Sequence, residues 1–465
     1  MTAQRGDWST SSWRSRPAQQ QPTYPDEDAL RVALAHIARL PPLVTSGEVE
    51  LLKEQLAEAA VGERFIIQGG DCSERFEDCH TPIVGSKLKV LLQMSLILLD
   101  ASQMKITRIG RLAGQYAKPR SSLVETIDGV TLPAYQGDLV NRPEFTVEAR
   151  TPDPRNLLTG YQYAALTLNW VRSAIAGNFS QLEYPEYWNL DFAARSPHAE
   201  AYKETLRRLT GSVRFMEACA GATMRQIMKF ELFTSHEALL LPFEEALSSS
   251  APYREEVYNL GTHFPWIGNR TRALDGAHVE YMRGIGNPVG VKVDGGMSRD
   301  EIVQLVQTLN PRNERGKLVL ITRFGATKIR AGLPAMIDAI RSAELEVVWM
   351  CDPMHGNTVK TNNGLKTRSF DAILSEIRDS FAIHREQGTI LGGIHFELTG
   401  EDVTECTGGA RDLSENDLER AYKSLVDPRL NYEQALEMAL QVGALMPKWA
   451  GHPPAGPRKR SRTHY

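Results

Sequence analysis

Cysteine is scarce in this chain, with five in 465 residues at irregular spacing. That excludes the dense disulfide framework of a small secreted domain and favours a reducing compartment. Charge of one sign is not in excess either. A formal net charge of −4 exerts no overall pull toward nucleic acid, so any cationic site must be local. No apolar run is long: the most apolar stretch, Val90 to Leu99, includes Gln93 and Ser95 and is too short to span a bilayer, so a buried helix is expected. No charged segment followed by an apolar core opens the chain; Trp8, Trp13 and a Pro-Gln run stand there instead. These gaps predict a cytoplasmic protein with no membrane and no nucleic-acid role. What is present, 42% hydrophobic and 24% charged residues, can bury a large core, and an ordinary soluble enzyme is the expected class.

Met1 to about Asp26 is polar and rich in Ser, Gln and Pro. It cannot fold alone, and it is read either as a disordered arm or as a segment lying along the body. Ala29, Leu30, Val32, Ala33, Ile37 and Leu40, then Val49, Leu51, Leu52 and Leu56, show helical periodicity and predict two helices before residue 60. Eight short apolar, β-rich runs follow: Arg64 to Gln68, Lys105 to Ile109, Met228 to Phe233, Glu256 to Leu260, Val289 to Val293, Lys317 to Thr322, Glu346 to Cys351 and Thr389 to Phe396. Helical patterns such as Lys87 to Leu99, Ser298 to Leu309, Ala326 to Ser342 and Phe370 to Gln387 separate them. Parallel strands with crossover helices fit this rhythm. The reading is an α/β chain with residues 1–60 as N-terminal arm and helices, a (β/α)8 TIM barrel over 61–450 and a solvated basic tail over 451–465. The gap at about 120–227 exceeds a normal crossover and predicts inserted helices between strands two and three, at Gly160 to Ala176 and His198 to Ala218.

A barrel builds its active site from the loops after its strands, and the reactive residues crowd there. Cys72 follows strand one, Arg111 and Lys118 strand two, and Arg270 strand four. Lys292 lies near the end of strand five, Arg323 ends strand six, His355 follows strand seven and Glu397 ends strand eight. Asp427 lies beyond, in a loop that must fold back over the mouth. Cys72, His355, Glu397 and Asp427 can together supply a thiolate, an imidazole and two carboxylates to a metal. The neighbouring cations suit phosphate groups, which they hold by charge-assisted hydrogen bonds. Each residue also has a plainer reading. Cys72 alone reads as a small buried hydrophobe, His355 as a core histidine, Asp427-Pro428 as a turn signal and the arginines as surface ion-pair partners. Gly284-Ile-Gly286 with Gly290 misses the dinucleotide-binding spacing and is set aside.

With these residues in view, the chain resembles the type II 3-deoxy-D-arabino-heptulosonate 7-phosphate (DAHP) synthases over almost its whole length. The likeness rests on Trp13-Arg-Ser15, Gln68-Gly-Gly-Asp-Cys72, Gly114-Gln-Tyr-Ala-Lys-Pro-Arg-Ser121, Thr234-Ser-His-Glu237, Arg270-Thr-Arg272, Leu274-Asp-Gly-Ala-His278, Asp352-Pro-Met-His-Gly-Asn357, Lys366-Thr-Arg368, Gly392-Gly-Ile-His-Phe-Glu397 and Asp427-Pro-Arg-Leu-Asn431. It implies condensation of phosphoenolpyruvate with erythrose 4-phosphate, the first step of the shikimate pathway. Arg111, Arg270, Lys292 and Arg323 then resemble the phosphoenolpyruvate clamp, and Lys118, Arg120 and Ser121 the erythrose 4-phosphate site. Lys292, Arg323 and His355 are expected to act in catalysis. The mixed sulfur, nitrogen and oxygen ligands suit Mn first, with Co, Fe or Zn as alternatives. The likeness further implies a homo-oligomer, dimer or tetramer, and in part of the family a chorismate mutase partner. Two positions depart from the pattern: Asn269, where an acidic residue commonly precedes the arginine, and Val426, where a cysteine often precedes the aspartate. Rival readings are a metal-dependent aldolase of another phosphosugar and a catalytically silent regulatory homologue.

Overall fold

The computed structural model describes residues 8–176, 199–220, 230–252 and 254–448. The expected C-terminal tail, the first seven residues of the arm, parts of the insertion and the start of the expected third strand lie outside the described residues. Eight strands close into a barrel in the order β1 (Arg64–Gly70), β8 (Leu391–Glu397), β7 (Val348–Cys351), β6 (Leu318–Thr322), β5 (Val289–Val293), β4 (Phe264–Ile267), β3 (Phe233–Glu237) and β2 (Lys105–Arg111). Every neighbouring pair is parallel. The fold is the expected (β/α)8 barrel.

Two strands lie elsewhere than the apolar runs predicted. The third begins at Phe233, where the run was expected to end, because the residues that follow Phe233 are polar. Thr234 accepts a place beside His263, with its backbone N–H donating to the ring Nδ1 at 2.9 Å, and Ser235 donates to the Gly110 carbonyl at 3.0 Å. The run at Glu256 to Leu260 instead forms Val257–Asn259, paired antiparallel with Ser248–Ser250. The true fourth strand is only four residues long and contains Pro265, which argues against a strand when read from sequence. The insertion holds helices Arg155–Ala176 and Ala199–Ala220, each starting or ending within a few residues of expectation, and an unforeseen hairpin of Val124–Ile127 with Val130–Pro133.

Helices α1 (Glu27–Ile37) and α2 (Ser46–Ala60) precede the barrel. Asp26 caps α1 by accepting from the Ala29 N–H at 2.8 Å, and Thr45 with Glu48 forms a capping box on α2. Leu52, Leu56 and Ala59, at helical spacing, meet Ile66, Ile109, Phe264, Val319, Val348 and Met350 from the strands. Each such leucine contributes about 1.5–3 kcal/mol on burial. Gly316, just before β6, approaches α2 so closely that a Cβ would collide with the Lys53 carbonyl. Helix α2 therefore closes the N-terminal end of the barrel and leaves the opposite end for chemistry. Helix α3 (Thr81–Ser102) is long and apolar enough to cross a membrane, but 72% of its most apolar stretch is buried, against β1, β2 and the C-terminal helix Tyr432–Leu445.

Candidate active site

Strand register sets the level of the site. Gly70, at the end of β1, stands opposite both Arg111 of β2 and Glu397 of β8. Its φ of +145° and the Arg111 carbonyl, 2.6 Å from where a Cβ would sit, leave room only for glycine. Arg111 is buried and makes four polar contacts at this level. Its Nε donates to the Asp71 carbonyl at 2.8 Å, and its Nη2 donates to the Cys72 carbonyl at 3.1 Å and to Glu397 Oε1 at 2.9 Å. Its Nη1 meets His395 Nε2, while His395 Nδ1 faces Gln68 Oε1 at 2.7 Å. Burial, with Lys292 and Arg111 adding to it, holds the His395 pKa well below the ordinary range.

Asp71 and Cys72 form the turn after β1, and the segment after β8 returns over the mouth carrying Asp427. Arg429 ties the two together, donating to Asp71 Oδ1 at 2.6 Å and to Glu405 Oε1 at 2.8 Å. Cys72 Sγ and carboxylate oxygens of Glu397 and Asp427 consequently lie within 4.8 Å of one another. His355 stands beside this triad, with Nε2 3.1 Å from Glu397 Oε1 and Nδ1 2.7 Å from Asp352 Oδ2. A carboxylate on Nδ1 leaves Nε2 bare, which is the orientation of a metal-ligating histidine. Glu397 Oε2 is buried with no hydrogen-bond partner, although Arg368 Nη1 lies 2.7 Å away. A buried carboxylate oxygen with a free lone pair, beside a sulfur and a second carboxylate, fits a divalent cation.

Lys118 Nζ reaches the same atoms: 2.8 Å to Cys72 Sγ, 3.1 Å to Asp427 Oδ2 and 3.3 Å to Glu397 Oε1. Burial opposes its charge, but Cys72, Glu397 and Asp427 outweigh burial and raise its pKa above the ordinary lysine range. Burial pushes the Cys72 thiol up, with the Glu397 charge adding to it. Glu397 and Asp427 are held well below the usual carboxylate range: burial works the other way, and the cations around them, Lys118 and Arg368 at both, overcome it.

A cavity of about 170 Å³ opens beside this cluster, and Arg111, Lys118, Arg270, Lys292 and Arg323 all face it. Lys292 Nζ bonds Asp352 Oδ2, and burial lowers its pKa to about 8 despite that partner. Arg323 donates from Nη2 to the His355 carbonyl at 3.3 Å, and its Nε is buried without a partner. Arg120 and Ser121 stand at the rim instead. Arg120 Nη2 pairs with Glu125 Oε1 of the Val124–Pro133 hairpin at 2.8 Å, and Ser121 Oγ accepts from Arg270 at 2.7 Å.

Residues 8–443 match the model of the class-II DAHP synthetase family. The chain belongs to that family. It is 46% identical over 451 residues to the phospho-2-dehydro-3-deoxyheptonate aldolase of Neurospora crassa, covering 94% of this chain and 93% of that one. To the Streptomyces coelicolor protein of the same name it is 43% identical over 435 residues, covering 94% and 96%. It is thus an enzyme, a DAHP synthase of the transferase class.

In this synthase two acidic residues matter that sequence reasoning gave no role. Asp352 accepts from Lys292, from His355 Nδ1 and from the backbone N–H groups of Met354 at 3.0 Å and His355 at 3.2 Å, so one carboxylate orients two site residues. Glu237 faces the cavity from the end of β3 with a buried, unpartnered Oε1, and burial raises its pKa. Both lie at or just after the C-terminal end of a strand, the signal that located the other candidates. Of the two departures from the family pattern, Asn269 lines the cavity and accepts from Arg272 Nη1. Val426 packs against Cys72 and Tyr135, filling the side from which a second thiol would approach.

Proposed function

We propose that this synthase condenses phosphoenolpyruvate with erythrose 4-phosphate and water, giving DAHP and phosphate as the opening step of the shikimate pathway. The observation that carries this reading is the convergence of five cations on one cavity bordered by a metal-binding triad. Two substrates that each bear phosphate require such a surplus of fixed positive charge, since every buried anionic group needs charge-assisted partners. Arg111, Lys292 and Arg323 hold the phosphate and carboxylate of phosphoenolpyruvate deep in the cavity. Arg270, expected from the resemblance in the phosphoenolpyruvate clamp, donates to Ser121 Oγ; with Ser121 and Arg120 at the rim it is assigned here to the phosphate of the aldehyde instead, which sets the carbonyl toward Lys118 and the triad. A divalent metal on Cys72, His355, Glu397 and Asp427, Mn first and Co, Fe or Zn as alternatives, would supply Lewis acidity toward the aldehyde oxygen.

Carbon three of phosphoenolpyruvate then attacks the aldehyde carbon, and the aldehyde oxygen takes up a proton. Water adds at carbon two and gives up a proton, and the hemiketal phosphate collapses to the ketone with release of phosphate. Lys292, with its pKa near 8, and Glu237, with its pKa raised by burial, both face the cavity and can hold or pass those protons. Homo-oligomerisation and a chorismate mutase partner belong to the same reading on family likeness. A cytoplasmic location is supported by five unpaired cysteines. The test is phosphate release from chelator-treated enzyme. Release is expected only with both substrates and added metal, and its absence from the complete mixture would overturn the reading.

A further inference from the structure

The N-terminal arm packs along the helices that follow β3 and β4 and ends against a loop of the active site. Trp8 Nε1 donates to the Glu280 carbonyl at 3.0 Å, and Trp13, only 5% exposed, donates from Nε1 to Glu245 Oε2 at 3.0 Å. The Ala277 N–H donates to the Pro17 carbonyl at 3.0 Å. Two successive glutamines end this run. Gln21 bonds both the Leu239 carbonyl, at 2.7 Å, and the Leu241 N–H, at 3.1 Å, and thereby seizes the loop after β3. Gln20 Oε1 accepts from the backbone N–H of Arg120 at 2.8 Å, across 100 residues of chain.

Gln20 makes that contact from a costly conformation. Its φ is +61°, in the left-handed region that side chains other than glycine and asparagine seldom occupy. Such a conformation persists only where the surroundings impose it, and it often marks a functional constraint. The Arg120 N–H lies between Pro119, which lines the cavity, and Ser121, which Arg270 holds. Proline at 119 has no N–H to tether, so the Gln20 contact fixes the backbone at the first position after it. We propose that the arm is a strap on the active site, and that Gln20 is the positioning residue through which it sets the Lys118–Ser121 loop for the phosphorylated aldehyde. This rests on the two-substrate reading above.

The test uses Gln20→Gly and Gln20→Met in the full-length, metal-loaded enzyme. Glycine relieves the left-handed conformation, so its melting temperature should equal or exceed that of the parent. Both variants should nevertheless raise the KM for erythrose 4-phosphate by roughly three- to ten-fold, the size of one lost hydrogen bond. The kcat and the KM for phosphoenolpyruvate should move less than two-fold. Gln20→Asn, which keeps an amide and tolerates positive φ, should fall between parent and glycine. An unchanged erythrose 4-phosphate KM in both Gln20→Gly and Gln20→Met would overturn the proposal, as would an equal loss for both substrates. Inactivity of the parent enzyme with these substrates would instead overturn the underlying reading.

Discussion

The Lys118 ammonium and the Cys72 sulfur lie 2.8 Å apart, so a lysine cation and a bound metal would draw on the same sulfur and the same two carboxylates. Lys118→Met keeps the length of the side chain and removes that competing charge. It is expected to bind Mn several-fold more tightly than the parent while losing most turnover. Cys72→Ser, which replaces a soft charged ligand with a weak one, is expected to lose both metal and activity. Calorimetric titration of the chelator-treated proteins reads both affinities. Weaker binding in Lys118→Met would mean that the lysine supports the ligands rather than competing for them.

Asp352 is the shared anchor of Lys292 and His355. Asp352→Asn retains its shape and loses the charge that both partners answer, so metal affinity should drop by about 10–100-fold, as for other residues that orient a ligating histidine. The same variant should lower kcat/KM for phosphoenolpyruvate, because Lys292 loses its counter-charge. Titration with Mn and steady-state kinetics check the two effects separately. Parent-like metal affinity would detach Asp352 from the metal site.

Arg323 has an unpartnered, buried Nε beside the cavity. Removing a charge-assisted contact there costs about 1.5–3 kcal/mol. Arg323→Ala should therefore raise the KM for phosphoenolpyruvate, or lower kcat, by at least ~10-fold. Unchanged kinetics in a folded variant would remove Arg323 from the site.

Acid should weaken the fold through two buried histidines. His278 bonds the Leu239 carbonyl at 2.9 Å and His384 pairs with Thr389 Oγ1 at 2.8 Å, and burial lowers both pKa values to about 4 from an ordinary 6.5. Between those values the unfolded chain binds protons that the folded chain does not, so stability falls as pH drops from 6.5 toward 4. Each histidine contributes up to about 1.4 kcal/mol per pH unit in that window. His278→Gln keeps a donor for the Leu239 carbonyl and should flatten the acid limb of a urea-unfolding series. Identical pH slopes in parent and variant would show that His278 titrates normally.

The barrel was legible because most of its strands are apolar runs, and burial by flanking helices makes such runs apolar on both faces. β5 coincides with its expected span, and β1, β2 and β6 differ by no more than two residues at either end. β3 and β4 escaped for opposite physical reasons. β3 carries Thr234, Ser235 and His236 in succession, polar groups satisfied only by tertiary partners, and β4 holds a proline that a sequence pattern counts against it. In the site, residue types at strand ends were readable, but side-chain direction was not. Lys118 and Arg120 flank one proline, yet the first turns inward to Cys72 and the second outward to Glu125. Asp352 and Glu237 were within sight in quoted segments, but their roles depend on contacts with residues 60 positions away or on opposing strands.

Helix α2 is made early and seated late. It leaves the ribosome before any strand, yet it packs against β7 and β8 as well as β1, and those strands end near residue 397. At ordinary synthesis rates some tens of seconds separate the two events. Throughout that interval the leucine face of α2 has no partner from the far side of the barrel. The growing chain therefore carries an only partly covered adhesive strip for most of its synthesis, and the yield of folded enzyme should respond to translation speed and to chaperone supply more sharply than the stability of the finished barrel would suggest.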